Sequence, residues 1–182
     1  MKFSIITVCY NSEDTIIDTL NSVLMQDYNN IEHIIVDGGS TDNTIKIINE
    51  YPFINKKIIL KKNSGIYDSM NIGIKNSSGH FITMLNSDDI YQNKETISDC
   101  AKKIKHTLKD NPNTQIYFSD IIFFSKTNKY DVNRYYSSIK FQKLHLEYGH
   151  MPPHPGSFIS KKIYEENGNY EDTFKIAADF DL

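Results

Sequence analysis

The sequence predicts an α/β domain built on a mainly parallel β-sheet flanked by helices. Three observations support this prediction. Short apolar runs rich in β-branched residues alternate with amphipathic helical patterns through the first half of the chain. The length of 182 residues suits one domain with a sizeable core. Hydrophobic residues at 39% and charged residues at 24% are ordinary for a globular protein, which excludes disorder as the default state.

The first two strand–helix units are predicted by a change from continuous apolar runs to helical spacing. Residues 3–9 are apolar and β-branched, as expected for a strand buried on both faces of a parallel sheet. Asn11 or Ser12 would cap the following helix, whose apolar residues recur on one face. A second strand over residues 31–37 leads into a Gly-Gly loop and a helix that Pro52 ends.

The remaining elements follow from the same criteria, except in one stretch. Residues 126–148 are polar and rich in tyrosine, and their aromatic side chains fit a strand, a binding surface or a core equally well. The other predicted elements are a strand at 57–61, a helix at about 66–75, a strand at 81–85, a helix at about 94–108, a strand near 115–124, a stiff proline-rich loop at 151–156, a strand at 157–160 and a helix at 161–167.

The charge and cysteine content exclude several classes of protein. A total of 20 Lys and Arg against 23 Asp and Glu gives a formal net charge of −3, which provides no global field for holding nucleic acid or an acidic membrane surface. Cys9 and Cys100 lie far apart without metal-type spacing, so we expect reduced core residues. Neither a secretory leader nor a run long enough to span a bilayer is recognised, so we expect a cytoplasmic protein.

Polar side chains follow three of the predicted strands. Ligands of open α/β sheets bind outside the carboxyl ends of the strands, and these ends share one edge of a parallel sheet. We therefore expect the polar residues to converge on one site. They are Thr7, Tyr10 and Asn11 on the first strand, Asp37 on the second, and Asn86, Ser87, Asp88 and Asp89 on the fourth.

Asp88 and Asp89 place two hard carboxylates at a strand end, as a Mg²⁺ or Mn²⁺ ion bound partly through substrate phosphates requires. The alternative is that this segment only caps the next helix. Asp37 is either a carboxylate for a base or ribose, or an ordinary residue of an Asp-Gly turn. The chain contains neither G-x-G-x-x-G nor G-x-x-x-x-G-K-[ST], which disfavours classical dinucleotide and P-loop sites.

Four stretches of the N-terminal half occur in a specific order and spacing. They are SIITVCYN at 4–11, IVDGGSTD at 35–42, GIYDSMNIG at 65–73 and LNSDD at 85–89. Together they resemble the glycosyltransferases of family 2, which have the GT-A fold, a Rossmann-like sheet flanked by helices. Each stretch alone would be a weak signal, whereas the ordered set is specific.

The resemblance implies an enzyme that moves a sugar from a nucleoside diphosphate donor to an acceptor hydroxyl with inversion. It implies one domain, in which residues 1–90 form the nucleotide-binding half and residues 91–182 the acceptor-side part. Asp88 matches the last acid of the metal-binding DXD motif, with Asp89 beside it, whereas Asn86 replaces the first acid by an amide. The positions implied to face the nucleotide donor are Thr7, Tyr10, Asn11, Asp37, Asp68, Asn71, Asn86 and Ser87.

Two of these positions have an alternative, and two more candidates lie further along the chain. Asp68 and Asn71 also suit an ordinary helix N-terminus, where an acid complements the dipole. Asp179 falls on the family's general-base position, and Ala178 replaces the customary Glu; the alternative for Asp179 is a solvated carboxylate. His154 matches a histidine near the acceptor side and is a candidate for contact with the donor phosphate or the acceptor.

The expected protein is a glycosyltransferase that uses a UDP-sugar and Mn²⁺ or Mg²⁺ to act on a glycan or lipid-linked acceptor in bacterial surface polysaccharide synthesis. The alternatives are a nucleotide-sugar-binding module without activity and a Mg²⁺-dependent nucleotidyl or phosphoryl transferase. Family members continue with helices that cover the acceptor and often meet the membrane. We expect this chain to lack that extension, through which a peripheral membrane association would occur. A general base close to the end of the chain loses its positioning, so we expect donor binding to survive better than transfer.

Overall fold

The structure is a computed structural model that describes residues 1–125, 131–139 and 152–171. Its strands are β1 Phe3–Cys9, β2 Ile31–Asp37, β3 Lys56–Leu60, β4 Phe81–Met84, β5 Ile116–Phe118, β6 Ile121–Phe124, β7 Val132–Tyr136 and β8 Ser157–Ser160. Its α-helices are α1 Ile16–Leu24, α2 Thr44–Glu50, α3 Ile66–Lys75, α4 Thr96–Asp110 and α5 Lys161–Asn167, and a 3₁₀ turn spans His154–Gly156. None of the helices in these three ranges is long and apolar enough to cross a membrane.

Within the described ranges, six strands form one sheet in the order β3-β2-β1-β4-β8-β5. β1 pairs in parallel with β2 and β4, and β2 pairs in parallel with β3, whereas β8 is antiparallel to both β4 and β5. The chain runs outward from β1 to β3 and then crosses back, so that β4 lies on the other side of β1. This reversal is a switch point, where open α/β sheets leave a crevice at the carboxyl ends of the strands. The predicted fold, with its mainly parallel sheet, is confirmed.

The strand predicted near residues 115–124 is divided in two. β5 joins the main sheet, while β6 pairs with β7 in a separate two-stranded sheet. The Ser119 N–H donates to the Gly156 carbonyl at 2.8 Å, and the Asp120 carboxylate accepts from the Ser138 N–H at 2.7 Å. These contacts turn the chain between the two strands. They join residues far apart in the sequence, so the continuous apolar run does not reveal the break.

The first helix begins later than predicted. Its N-cap is Thr15 and α1 starts at Ile16, so neither Asn11 nor Ser12 caps it. Asn11 has a left-handed backbone with φ of 48°, and its side-chain oxygen accepts a hydrogen bond from the Thr41 N–H at 2.9 Å. The capping prediction is wrong because these loop residues bond to neighbouring loops.

Helices cover both faces of the sheet, and the side chains of β1 alternate between two cores. Ile6 and Val8 pack with residues of α3 and α5. Phe3 and Ile5 pack with residues of α1 and α4. α3 approaches β1 closely at Gly73, where an added Cβ would lie 2.4 Å from Ile6 Cγ2. The glycine therefore lets α3 lie directly against the centre of the sheet.

Glu32 joins three segments at the amino edge of the sheet, opposite the crevice. Its carboxylate accepts hydrogen bonds from Lys2 Nζ at 2.8 Å, from the Ser78 N–H at 2.5 Å and from the Ser4 hydroxyl. Partial burial alone would raise the pKa of Glu32, but the bonds from Lys2, Ser4 and Ser78 outweigh it and lower the pKa to about 2. The turn between α3 and β4 is thus tied to β1 and β2.

Candidate functional site

Three loops meet at the carboxyl ends of β1, β2 and β4. The Ser12 hydroxyl, in the β1–α1 loop, lies 2.9 Å from the Ser87 hydroxyl in the β4–α4 loop. The Ser12 N–H donates to Thr44 Oγ1 at the start of α2, at 2.7 Å. One residue therefore bonds to both neighbouring segments across the switch point. The structure thus brings the loops that follow β1, β2 and β4 together at the switch point, and we call this place the switch-point cleft.

Residues that sequence analysis did not single out hold this cleft together. The Glu13 carboxylate accepts bonds from the Asn43 N–H at 2.8 Å and from Asn43 Nδ2 at 2.7 Å. The Asp42 carboxylate in turn accepts from the Glu13 N–H at 3.2 Å. Short polar residues between a strand and a helix are a local sign of loop hydrogen bonding. The pairing between two separate loops, however, has no signature in either segment.

Tyr10 and Asn11 shape one wall of the cleft. Tyr10 is 62% exposed, and a Cβ added at Gly38 would lie 3.5 Å from Tyr10 Cδ2. The exposed ring thus passes beside a residue that has no side chain, leaving a flat apolar face accessible. The Asn11 N–H donates to the Ser40 hydroxyl at 2.9 Å. Such an aromatic face can stack against a planar ligand group.

Asp37 is fully buried, and its carboxylate bonds to its own loop. Oδ1 accepts from the backbone N–H groups of Gly39 at 2.9 Å and Ser40 at 2.8 Å, while Oδ2 accepts from the Ser40 hydroxyl at 2.5 Å. Gly39 has φ of 99°, a conformation that other residues rarely adopt. Cys9 Sγ lies 3.6 Å from Oδ2; burial, and then the charge of Asp37, raises the pKa of the thiol. In this geometry Asp37 builds the loop floor, as the turn interpretation expects.

The structure places Thr7 in the core beneath the cleft. It is 0% exposed, and its hydroxyl lies 2.9 Å from His33 Nε2, while His33 Nδ1 lies 3.2 Å from the Tyr51 hydroxyl. Burial lowers the pKa of His33 to about 3, so the ring is neutral at pH 7. Thr7 therefore supports the cleft and does not line it. The sequence signal was the continuous apolar run of β1, which is buried on both faces along its whole length, so Thr7 within it is buried too.

The segment at 86–89 forms a turn and does not cap a helix. The Asp89 N–H donates to the Asn86 carbonyl at 3.1 Å, which closes the turn. The next helix starts only at Thr96, with Glu95 as its N-cap. The helix-capping alternative for this segment is therefore wrong.

Asp89 is held in place by its neighbours, whereas Asp88 is exposed. Asn86 Nδ2 donates to Asp89 Oδ2 at 3.0 Å, and the Thr19 hydroxyl donates to the Asp89 carbonyl at 2.8 Å. Burial, and then the charge of Asp88, raises the pKa of Asp89, against the opposing effect of the bonds from Asn86. Two carboxylates of unequal hydration thus lie side by side at the end of β4.

The oxygen atoms of this turn fit a hard cation. Within the described ranges no cluster of three or more His, Cys, Asp or Glu side chains suits a metal ion. Asn86 Oδ1, however, is buried and meets no hydrogen-bond donor in the described part of the chain. Together with Asp88 and Asp89 it offers an all-oxygen set for an ion that takes its other ligands from phosphate and water. The expected Mg²⁺ or Mn²⁺ therefore fits the residues present.

The remaining candidates lie away from this turn. Asp68 is half-buried in the first turn of α3. The Asn71 side chain bonds to the backbone of Tyr170, and His154 Nε2 lies 2.7 Å from the Tyr170 hydroxyl. Asn71 and His154 therefore lie near one another, because both contact Tyr170, a residue that sequence analysis missed. Asp179 lies outside the described residues.

A groove of about 1300 Å³ runs beside Asp89, between α1, α4 and the β6–β7 sheet. Aromatic side chains of Tyr91, Phe123 and Tyr135 contribute to its lining, together with Gly156 of the 3₁₀ turn. A concave surface with apolar rings and a few polar groups is typical of a small-molecule site. The groove and the switch-point cleft share Asp89.

Comparison with known proteins places this geometry in a family. Residues 4–168 match the model described as Glycosyl transferase family 2. The chain belongs to this family. The membership expected from the four sequence stretches is confirmed, and it sets aside the alternative of a nucleotidyl or phosphoryl transferase.

Two relatives show the kind of enzyme to which this glycosyltransferase domain is similar. It is 42% identical over 115 residues to the poly(ribitol-phosphate) beta-N-acetylglucosaminyltransferase TarS of Staphylococcus aureus, a match that covers 60% of the chain and 20% of that relative. It is 37% identical over 132 residues to the UDP-Glc:alpha-D-GlcNAc-diphosphoundecaprenol beta-1,3-glucosyltransferase WfaP of Escherichia coli, covering 70% of the chain and 45% of that relative. The chain therefore spans between a fifth and a half of the length of these two relatives. It is related to enzymes of bacterial polysaccharide synthesis.

A solved structure shares the fold over nearly the whole chain. The crystal structure of S. aureus TarS 1–349 in complex with UDP-GlcNAc superposes with a TM-score of 0.74 at 27% identity, covering 99% of this chain and 51% of that one. The GT-A fold expected for the glycosyltransferase domain is thereby confirmed.

Proposed function

We propose that this domain binds a UDP-sugar in the switch-point cleft and transfers the sugar, with inversion, to a hydroxyl of a glycan or lipid-linked acceptor during bacterial polysaccharide synthesis. The observation that carries the proposal is the joining of the Tyr10 wall to the Asp88–Asp89 turn by Ser12 and Ser87 at 2.9 Å. A nucleoside diphosphate needs an aromatic surface for its base and a cation site for its phosphates, in one crevice. The complex of TarS with UDP-GlcNAc supports uridine as the base.

The nucleoside is proposed to lie against the Tyr10 wall. The exposed Tyr10 ring stacks with the base, and Asn11 with its hydrogen-bonded loop borders the ribose. Asp37 acts by holding the floor of the loop through Gly39 and Ser40, and it reaches the nucleoside only by exchanging one of those bonds. Thr7 acts from the core below, and Asp68 borders the cleft from the first turn of α3.

The diphosphate is proposed to lie at the Asn86–Asp89 turn. Asp88, Asp89 and Asn86 Oδ1 would hold Mg²⁺ or Mn²⁺. When bound, the ion offsets negative charge on the departing diphosphate. The Thr19 hydroxyl donates to the backbone carbonyl of Asp89, and Asn86 Nδ2 donates to its carboxylate, so both parts of Asp89 have partners within the protein.

The acceptor is proposed to enter through the groove beside Asp89, where aromatic side chains can pack on the apolar faces of sugar rings. Asp179 is proposed as the general base. The acceptor oxygen forms a bond to the anomeric carbon while its proton passes to Asp179, and the bond from that carbon to the diphosphate breaks with its electron pair leaving on the diphosphate. Attack opposite the leaving group gives inversion.

Isothermal titration with UDP, with and without Mn²⁺, tests the donor site. We expect Mn²⁺ to tighten UDP binding by at least about tenfold, equivalent to ~1.4 kcal/mol. Asp88→Asn should abolish this metal-dependent increment and leave the protein folded, because Asp88 is exposed. Asp27→Asn, at another exposed aspartate, is the matched control and should behave as the wild type. Absence of any nucleoside diphosphate binding by folded protein would overturn the proposal.

A further inference from the structure

Tyr170 is buried although it lies outside helices and strands. It is 3% exposed and follows α5 in a segment without regular secondary structure. Its N–H donates to Asn71 Oδ1 at 3.0 Å, and its carbonyl accepts from Asn71 Nδ2 at 2.8 Å. One side-chain amide of α3 thus satisfies both backbone groups of a residue 99 positions away.

The phenol of Tyr170 has hydrogen-bond and aromatic partners of its own. Its hydroxyl lies 2.7 Å from His154 Nε2 in the 3₁₀ turn and 3.2 Å from the Tyr164 hydroxyl of α5. Its ring packs at 5.8 Å from the Tyr67 ring of α3. We call Asn71, His154, Tyr164 and Tyr170 the Tyr170 clamp.

The clamp explains how Tyr170 can be buried in an irregular segment whose other described residues, at 168, 169 and 171, are exposed. Buried backbone N–H and C=O groups require partners, and outside helices and strands a side chain must supply them. The Asn71 side chain pairs with the backbone of Tyr170 as a neighbouring strand would, because its NH₂ group donates a hydrogen bond and its oxygen accepts one. Removal of Asn71 would leave two buried backbone groups unpaired, which favours withdrawal of the segment from α3.

The sequence resemblance had placed Asn71 at the donor and His154 at the phosphates or acceptor, yet both are engaged by Tyr170. The chain leaves the clamp through Glu171 and continues into residues 172–182, which contain the proposed base Asp179. A base works only when its position relative to the acceptor hydroxyl is defined. The clamp therefore anchors the chain shortly before the segment that carries that base.

We propose that Asn71 and Tyr170 are positioning residues for transfer: the clamp fixes where the chain enters the base-bearing segment, and Asn71 does not contact the donor. This inference rests on the proposed function, in which Asp179 is the base. It predicts that the clamp governs turnover and not nucleotide affinity, whereas a donor contact would govern both.

Three measurements on Asn71→Ala test the inference. UDP affinity with Mn²⁺ should stay within about twofold of the wild type. Hydrogen–deuterium exchange of a peptide covering 168–171 should quicken by at least about tenfold. For sugar transfer, kcat should fall by at least about tenfold while KM for the donor is unchanged.

Tyr170→Phe keeps the pairing with Asn71 and loses the bonds to His154 and Tyr164. It should therefore give a smaller loss of kcat, and it serves as the variant that retains the fold. Asn49→Ala, an exposed asparagine of α2, is the matched control and should change none of the three.

Each contrary result has a separate meaning. If Asn71→Ala weakens UDP binding as much as Asp88→Asn does, Asn71 is a donor contact and the inference is wrong. If exchange at 168–171 is unchanged, the clamp does not hold the segment. If exchange quickens while kcat stays constant, the clamp is a stability feature and the positioning role is lost. If the wild type neither binds UDP nor transfers sugar, the proposed function fails and the positioning role with it, while the exchange result still decides whether the clamp anchors the segment.

Discussion

His33 lies in the core between the hydroxyls of Thr7 and Tyr51, and its protonation state affects the stability of the fold. Both nitrogens of His33 are within hydrogen-bond distance of a hydroxyl, which a neutral ring satisfies with one donor and one acceptor. A proton added to this ring would introduce a charge into the core. The folded protein therefore resists protonation of His33, and the unfolded chain does not.

Acid should weaken the fold through His33 over a defined pH range. Burial lowers its folded pKa to about 3 from an ordinary value of 6.5, so the unfolded state binds more protons between these values. The contribution of neutral His33 to the free energy of unfolding is therefore complete above pH 6.5 and is lost as the pH falls towards 3. We expect urea denaturation to show a loss of about 1.4 kcal/mol per pH unit below about pH 6 that is absent in His33→Gln. His106→Gln, at an exposed histidine, is the control; an identical pH slope in wild type and His33→Gln would contradict the prediction.

Asn86 is another residue whose chemistry depends on its surroundings. A carboxylate at this position would add a third negative charge next to Asp88 and Asp89, and the pKa of Asp89 is already raised. The amide instead donates a hydrogen bond to Asp89 at 3.0 Å and keeps an oxygen available in the same turn. An amide at this position therefore avoids the repulsion that a third carboxylate would add.

Helix α3 packs directly against the centre of the sheet at Gly73. It contributes to the core on β1, begins near the switch-point cleft and provides Asn71 to the clamp. Its distance from the sheet is set at Gly73, next to Ile6. A substitution at Gly73 should therefore affect the core, the cleft and the clamp together.

Gly73→Ala should destabilise the domain through overpacking. The added Cβ would lie 2.4 Å from Ile6 Cγ2, in the centre of the sheet, so the helix or the strand must shift. We expect a decrease of about 1–3 kcal/mol in the free energy of unfolding, measured by chemical denaturation. Gly65→Ala is the matched control on the same helix, because no atom lies within 4 Å of the added Cβ, and it should change stability by less than about 1 kcal/mol. Equal effects of the two substitutions would show that close packing at Gly73 does not limit stability.

The domain as a whole separates its two edges. The carboxyl edge carries the cleft, the metal-suited turn and the groove, while the amino edge carries the Glu32 cluster that ties β1, β2 and the α3–β4 turn. Stability at one edge and ligand binding at the other can therefore be changed independently. Substitution of Glu32 tests this separation.

Glu32→Gln should lower stability without affecting UDP binding. The folded pKa of Glu32 is about 2 and its ordinary value is 4.5, so its contribution is complete above pH 4.5 and is lost as the pH falls towards 2. With allowance for solvent screening, we expect a loss of about 1–3 kcal/mol in the free energy of unfolding at pH 7, and a smaller difference from wild type below pH 4. Glu50→Gln, at an exposed carboxylate, should be neutral. If the UDP affinity of Glu32→Gln fell below that of the wild type together with its stability, the separation of the two edges would be contradicted.

The sequence alone determined the α/β class, the positions of the first four strands along the chain and the family. Strand and helix periods are local properties, so the apolar runs at 3–9 and 31–37 predict their strands directly. The short motifs at the strand ends also predict where a ligand site forms, because parallel strands place their carboxyl ends on one edge. The same reasoning was wrong where loop residues such as Asn11 serve contacts between loops.

Only the tertiary structure decided which candidates share a surface and which support it from within. Thr7 is directed into the core by the pairing of β1 with β2, which sets it against His33. Asn71 and His154 meet at Tyr170, although 99 residues separate Asn71 from Tyr170. A side chain's partners depend on packing between distant segments, and the pattern of any one segment reports only its own period and polarity. Local patterns therefore identify the residues available for function, while the folded contacts assign each of them a role.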